Sequence, residues 1–185
     1  MRIVSGTHKS KRITAPKNLP VRPTTDMAKE SLFNILNNDY YFDEISVLDL
    51  FSGTGNISYE FASRGTEQIL SVDVNLNCIR FIQKTAEELG FDAISTIKTD
   101  VFEFLEKHKQ EHDVIFADAP YDLEGLDKIV ELVFAKELLS IDGVLILEHA
   151  KEKDFSVLPY FVHSRRYGNV NFSFFEWSKK KEDNE

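Results

Sequence analysis

The stretch Val47-Leu48-Asp49-Leu50-Phe51-Ser52-Gly53-Thr54-Gly55-Asn56 decides the fold. Val47 to Leu50 is a short apolar run broken by one acid, Asp49, and a helical pattern begins near Ile57. Strand, glycine turn and helix in that order form the layout of a nucleotide-binding βα unit. Gly53 and Gly55 let the backbone turn sharply and come close to a ligand, because no Cβ stands in the way. Ser58 occupies the place of the third glycine of the dinucleotide fingerprint. A carboxylate such as Asp49 repels pyrophosphate and attracts an ammonium group. The expected ligand is therefore cationic or carries no phosphate, and S-adenosylmethionine, with its sulfonium, amino group and adenosine, fits. Taken alone, the same glycines describe an ordinary tight βα connection; the residues downstream decide between the two.

Three acids follow at the ends of apolar runs. Asp73 closes Ile69 to Val72, about one βα unit after the glycines, where an acid accepts hydrogen bonds from ribose hydroxyls. Its competing role is to cap the next helix, for which Asn75 is already a candidate. Asp100 follows Ala93 to Lys98 and either accepts from an adenine amino group or caps the helix Val101 to Lys107. Asp118 ends Val114 to Ala117 and opens Asp118-Ala119-Pro120-Tyr121, the most specific chemical signal in the chain.

Together these motifs carry a resemblance. The glycine stretch, Ser71 to Asn75 (S-V-D-V-N), Thr99 to Leu105 (T-D-V-F-E-F-L) and Phe116 to Tyr121 (F-A-D-A-P-Y) resemble the motifs of class I S-adenosylmethionine-dependent methyltransferases. The last is similar to the (D/N)-P-P-(Y/F) box of enzymes that methylate exocyclic amino groups of bases. Arg2 to Gly6 (R-I-V-S-G), Lys11 to Ile13 (K-R-I) and Arg22 to Leu36 (R-P-T-T-D-M-A-K-E-S-L-F-N-I-L) resemble the RsmD-type family. Its members methylate guanine N2 in 16S RNA of the small ribosomal subunit. The resemblance runs from Met1 to Trp177 and departs at Ala119, where the family usually has the first proline of the box. It implies that Asp49, Gly53 and Gly55 surround the methionine part of the cofactor and that Asp73 holds the ribose. Asp100 would face the adenine, and Phe51, Val101 and Asp118 complete the cofactor set. The implied partner is 16S rRNA within a 30S subunit or assembly particle.

The 185 residues suit one domain with a sizeable core. Apolar residues make up 42% and are spread along the chain, which excludes a disordered polymer. No apolar run approaches the ~20 residues that span a bilayer, and the basic, interrupted Met1 to Lys17 does not read as a signal peptide. The single cysteine, Cys78, cannot pair within the chain and reads as a buried, inert thiol, so a cytoplasmic location is expected. No metal-ligand spacing is present.

Charge is unevenly placed. Residues 1–25 hold Arg2, Lys9, Lys11, Arg12, Lys17 and Arg22 and no acid, so they carry +6 while the remaining 160 residues carry −15 of the formal −9. A basic arm on an acidic body can hold phosphates while the body repels random polyanion. Arg2, Lys9, Lys11, Arg12, Arg22 and Thr24 are the candidate RNA-binding residues. Arg22 and Thr24 precede a helix N-terminus, a place that favours anions, and either position a phosphate or shape the wall of the methyl-donor pocket.

Residues 1–23 read as an arm, with β-prone Arg2 to Val4 and Arg12 to Thr14 forming a small hairpin or an extended stretch before Pro16, Pro20 and Pro23. Residues 24–178 read as the methyltransferase domain and 179–185 as a disordered charged tail. Thr24 or Thr25 caps a first helix reaching Leu36, with Met27, Ser31, Leu32, Ile35 and Leu36 on its apolar face and Phe33 at the edge. Strands Val47–Leu50, Gln68–Val72, Ala93–Lys98, Asp113–Ala117 and Gly143–Glu148 then alternate with helices Ile57–Arg64, Asn75–Leu89, Val101–Lys107 and Glu124–Leu138. That pattern predicts an α/β fold with a mostly parallel, Rossmann-like sheet covered on both faces. Leu158–Tyr167 and Val170–Trp177 add a C-terminal antiparallel hairpin. The resemblance supplies the expected seven-strand order, 3-2-1-4-5-7-6.

An exocyclic amine is a poor nucleophile because its lone pair is delocalised into the ring. Asp118 can accept one N–H and the carbonyl of Ala119 the other, which localises the lone pair. Pro120 stiffens the loop, and Tyr121 offers a face for stacking the base. Adenine N6 in DNA or RNA would suit the same residues. A non-catalytic RNA-binding or ribosome-assembly protein on this fold is a further alternative, with Ala119 as its only support in the sequence. A strand-end Glu148 reads as solvated or as reaching the substrate side. Arg165 and Arg166 read as a phosphate contact or a solvated strand face.

Overall fold

The computed structural model describes residues 1–16, 19, 25–120 and 123–177. Lys17, Arg22, Thr24, Tyr121 and the charged tail lie outside the described residues. Seven strands form one sheet: β1 (Ser46–Leu50), β2 (Gln68–Asp73), β3 (Ile94–Lys98), β4 (His112–Asp118), β5 (Leu139–Ala150), β6 (Phe161–Tyr167) and β7 (Val170–Phe175). Their order is β3-β2-β1-β4-β5-β7-β6, as the resemblance implied. The pairs among β1 to β5 are parallel, and β7 runs antiparallel to both β5 and β6. Helices α1 (Asp26–Asp39), α2 (Asn56–Ser63), α3 (Leu76–Leu89), α4 (Val101–Lys107) and α5 (Leu126–Ala135) cover the sheet.

Alternation along the strands sends side chains to two cores. Val47, Val114, Phe116, Ile146 and Phe172 pack with Leu32, Phe33 and Leu36 of α1 and Phe61 of α2. Leu48, Leu50, Ile115 and Leu147 pack on the other face with Leu105 of α4 and Ile129 and Val133 of α5. The buried face of α1 is rotated from the one expected. Phe33 is fully buried and Met27 is exposed, because Ala28, Leu32 and Leu36 form the inner stripe. Helix α5 is shorter than expected at both ends. It starts after Gly125 in a left-handed conformation (φ 82°), and Glu137 (φ 55°) turns the chain away after it. Strand β6 starts only at Phe161, after Tyr160 with φ 66°, and β7 stops at Phe175. Trp177 instead leaves the sheet, donates Nε1–H to the Leu139 carbonyl at 2.9 Å and packs edge-on against Phe134.

The N-terminal hairpin is fastened to the domain. Arg2 and Arg12 form an antiparallel bridge, while Ile3 and Ile13 are buried with Tyr59, Ile82, Ala86 and Phe91. Gly6 (φ 80°) lies so close to α2 that an added Cβ would stand 1.8 Å from the Ser63 carbonyl oxygen. Glu60, fully buried on α2, accepts from the amides of Val4 (2.8 Å) and Ser5 (3.0 Å) and pairs with Lys29 and Arg64. Lys29 Nζ also donates to the Arg2 carbonyl at 2.6 Å and to Asn56 Oδ1 at 2.8 Å. One buried ion cluster thus ties the hairpin, α1 and α2 together. Among the described residues, no helix is long and apolar enough to cross a membrane.

Candidate active site

The carboxyl ends of β1, β2, β4 and β5 open into a cavity of about 610 Å³ with a largely apolar wall. A cavity at this edge follows from the strand order, which reverses direction between β1 and β4. Its floor is the glycine turn. Phe51 (φ 57°), Gly53 (φ 52°) and Gly55 (φ 78°) all adopt left-handed backbone, and Gly55 leads into α2. The turn is stitched to β2: Ser52 N–H donates to the Val72 carbonyl at 3.0 Å and Gly53 N–H to Asp73 Oδ2 at 2.8 Å. Gly53 lines the cavity and Gly55 does not. A Cβ on Gly55 would meet the Tyr59 ring at 2.8 Å and Ile82 at 2.9 Å, so the absence of a side chain here makes room for packing.

The acids at the strand ends divide their work. Asp49 is buried, and Ser58 Oγ–H donates to it; Ser58 Oγ is also 2.7 Å from Ser71 Oγ. Burial pushes the Asp49 carboxyl up to about 7, the Ser58 bonds oppose the shift, and the nearby Asp73 charge adds to it. Asp73 accepts from Gly53 N–H with one oxygen and from Asn75 N–H (2.7 Å) with the other. It does not cap α3; Asn75 does, accepting from Asn77 N–H at 2.9 Å. Asp100 caps α4 through Phe102 and Glu103 N–H and lines the cavity as well, so the two roles expected as alternatives share one side chain. Val101, just behind it, is buried and also lines the wall.

Asp118, Ala119 and Pro120 form the wall beyond β4. Burial, followed by the charges of Glu148 and Asp49, holds the Asp118 carboxyl well above the ordinary carboxylate range. Glu148 is buried on the cavity wall, which corrects the reading of it as a solvated strand end. Five carboxylates, those of Asp49, Asp73, Asp100, Asp118 and Glu148, line the cavity, and no Lys, Arg or His does among the described residues. Cys78 lines it too, buried, with its thiol pushed up to about 11 by desolvation.

Two parts of the wall were missed in the sequence. Thr25 and Met27 come from the start of α1, where Thr25 Oγ1 caps the helix by accepting from Ala28 N–H at 3.2 Å. Tyr167 to Val170 come from the β6–β7 turn. Pairing of Ala150 with Val170 sets that turn beside the end of β5. The signal was present in the antiparallel hairpin combined with the order 5-7-6, which returns its tip to the cavity edge.

The candidate RNA-binding residues fall in two places. Lys11 and Arg12 line a second groove, of about 690 Å³, together with Arg80 and Lys84 of α3. Arg2 stands outside it, half-exposed and paired with Asp26 at 3.2 Å, and Lys9 is exposed on the hairpin turn. Arg166, on exposed β6, donates Nε–H to the Gly168 carbonyl at 3.0 Å.

Comparison with known proteins agrees with this architecture. The family described as "Conserved hypothetical protein 95" matches residues 1–176. A putative rRNA methyltransferase, YlbH, of Bacillus subtilis is 32% identical over 156 residues, covering 82% of this chain and 84% of the relative. The ribosomal RNA small subunit methyltransferase D of Buchnera aphidicola subsp. Baizongia pistaciae is 26% identical over 159 residues, covering 86% and 81%. Among solved structures, a putative methyltransferase, yhhF, from Escherichia coli superposes with a TM-score of 0.84 at 20% identity, covering 96% of this chain and 98% of that one. The chain belongs to this family of RsmD-type methyltransferases.

Proposed function

We propose that the chain methylates N2 of a guanine in 16S ribosomal RNA, using S-adenosylmethionine. The observation that carries the reading is the acidic cavity with Asp118, Ala119 and Pro120 on its wall. A cavity holding five carboxylates and, among the described residues, no cation suits a ligand with a sulfonium and an ammonium group. Asp49, Phe51 and Gly53 would surround the methionine part, Asp73 the ribose, and Asp100 and Val101 the adenine. Gly55 would contribute through the shape of the turn. The bound cofactor supplies an electrophilic methyl group. Positive charge beside Asp49 and Asp118 favours their ionised forms, which opposes the burial that raises both.

The work of the chain's own residues is positioning and electrostatics. Asp118 accepts one N–H of the amine and the Ala119 carbonyl accepts the other, so the lone pair points at the methyl group. The proton becomes acidic only as the N–C bond forms, and Asp118 is placed to take it. The carbonyl is there whether position 119 holds alanine or proline. The exchange loses only backbone stiffness, about 0.4–1 kcal/mol. Tyr121, next in the chain, would stack the base. The substrate class is supported by relatives named for small-subunit rRNA and by the basic groove between hairpin and α3.

The test is incubation of the protein and labelled methyl donor with under-methylated 30S particles, followed by mass analysis of the nucleosides. Label in N2-methylguanosine of 16S RNA is expected. Label in N6-methyladenosine would move the assignment to adenine. Donor binding without any transfer would favour a non-catalytic assembly role.

A further inference from the structure

Glu148 and Asp118 are register partners on adjacent parallel strands, β5 and β4. Such partners stand about 4.8 Å apart and send their side chains to the same face of the sheet. Both line the cavity, and the charge of Glu148 is felt at Asp118. The β1 neighbour on that face, Asp49, sits deeper on the floor and is engaged by Ser58. The amine-binding wall therefore presents two carboxyl groups side by side, not one.

Burial and mutual repulsion favour a proton on this pair, and the positive charge of a bound donor favours its loss. Once ionised, both carboxylates accept hydrogen bonds and donate none. Two neighbouring acceptors match a ligand edge with two neighbouring donors. Among the four RNA bases only guanine has one, N1–H beside the N2 amino group. Adenine places an acceptor, N1, beside its N6 amino group, and cytosine places N3 beside N4. Uracil has a single donor between two carbonyls. An acceptor facing an acceptor is left unpaired in a buried site, which is the strongest basis a site has for rejecting a near-isosteric ligand.

We propose that Glu148 is the specificity-determining residue of this cavity, accepting N1–H of the target guanine while Asp118 accepts from its N2 amino group. The assignment rests on the guanine-N2 reading above and explains within the site why guanine is chosen over adenine. It also gives a task to a buried acid that the methyl-transfer chemistry does not need.

The probe is 2-aminopurine, which keeps the amine on C2 but has an acceptor at N1. Small-subunit particles are assembled with guanine or 2-aminopurine at the nucleotide that the labelling experiment identifies, and kcat/KM is measured for each at saturating donor. The wild-type protein should prefer guanine by about 10³-fold or more. Glu148→Gln can turn its amide N–H towards an N1 acceptor while its amide oxygen can still accept N1–H, so that preference should shrink at least about 100-fold, chiefly through gain on 2-aminopurine. Thermal unfolding and donor titration of the variant separate this change from misfolding or weak donor binding. The wild-type comparison needs no variant. Equal methylation of guanine and 2-aminopurine by the wild type overturns the assignment while the guanine-N2 reading stands. So does a Glu148→Gln effect that is the same on both. No transfer to guanine particles at all overturns the guanine-N2 reading and the assignment with it.

Discussion

Ser58 donates its hydroxyl hydrogen to the buried carboxylate of Asp49. That bond accounts for the serine where a dinucleotide-binding turn would carry its third glycine. A glycine there would leave a desolvated acid with one fewer donor, and a phosphate ligand would not tolerate the acid at all.

Asp49 therefore titrates on the wall of the cavity proposed for the cofactor. Its carboxyl is raised to about 7 by burial, against an ordinary value of 3.8. In the free protein its ionised form is disfavoured, so its contribution to stability is fully present below pH 3.8 and is lost as pH rises through about 7. Binding of a cation should pull the proton off. S-adenosylmethionine affinity should rise between pH 6 and 8, and calorimetry in buffers of different ionisation enthalpy should register proton release near pH 7. Ser58→Ala removes a bond to the charged form, worth about 1.5–3 kcal/mol. The variant should bind the donor at least about tenfold more weakly at pH 7, with its affinity curve moved to higher pH. An unchanged curve would mean that Asp49 does not face the donor's positive charge.

The buried cluster of Glu60, Lys29 and Arg64 should be the main fastening of the hairpin. Lys29→Met removes the ammonium that reaches the Arg2 carbonyl and Asn56, and leaves Glu60 with Arg64 and two backbone amides. Breaking a buried pair on one side costs about 3–5 kcal/mol, which denaturant unfolding would read. Amide exchange at Val4 and Ser5 should accelerate more than exchange in β4. Equal acceleration in both would show that the cluster stabilises the whole domain and not the hairpin attachment.

The basic groove predicts a salt signature. Lys11, Arg12, Arg80 and Lys84 line it, so neutralising any one should weaken binding of a small-subunit rRNA fragment and lower the salt slope by about one unit or less. Phosphate contacts position without specifying sequence, so the methylated nucleotide should stay the same. A fluorescence titration at several salt concentrations checks this. Arg80→Ala with an unchanged slope would confine RNA contact to the hairpin.

Much of the architecture was legible because apolar runs of four to six residues alternate with helical stretches, and because strand-end acids follow each run. The order of the strands was legible only through the family motifs, since periodicity does not say which strands pair. Buried charge was the main omission. Lys29 and Glu60 look solvated in the sequence, since only tertiary packing brings together residues so far apart in the chain. The two readings of Glu148, solvated or facing the substrate side, could not be separated for the same reason: β7 pairs beside β5 at this position, and Glu148 is buried on the cavity wall. The rotation of α1 that leaves Met27 exposed on the cavity wall could not be read from a helix whose apolar stripe allows two rotations.

We assign Asp118 to the methyl-transfer step. The most direct measurement is the single-turnover rate of Asp118→Ala at saturating donor and saturating 30S particles, beside the wild type. The rate should fall by about 10²- to 10³-fold, the size expected for losing one preorganised hydrogen-bond partner of the reacting group. RNA affinity should be nearly intact. Transfer by Asp118→Ala at the wild-type rate would contradict it.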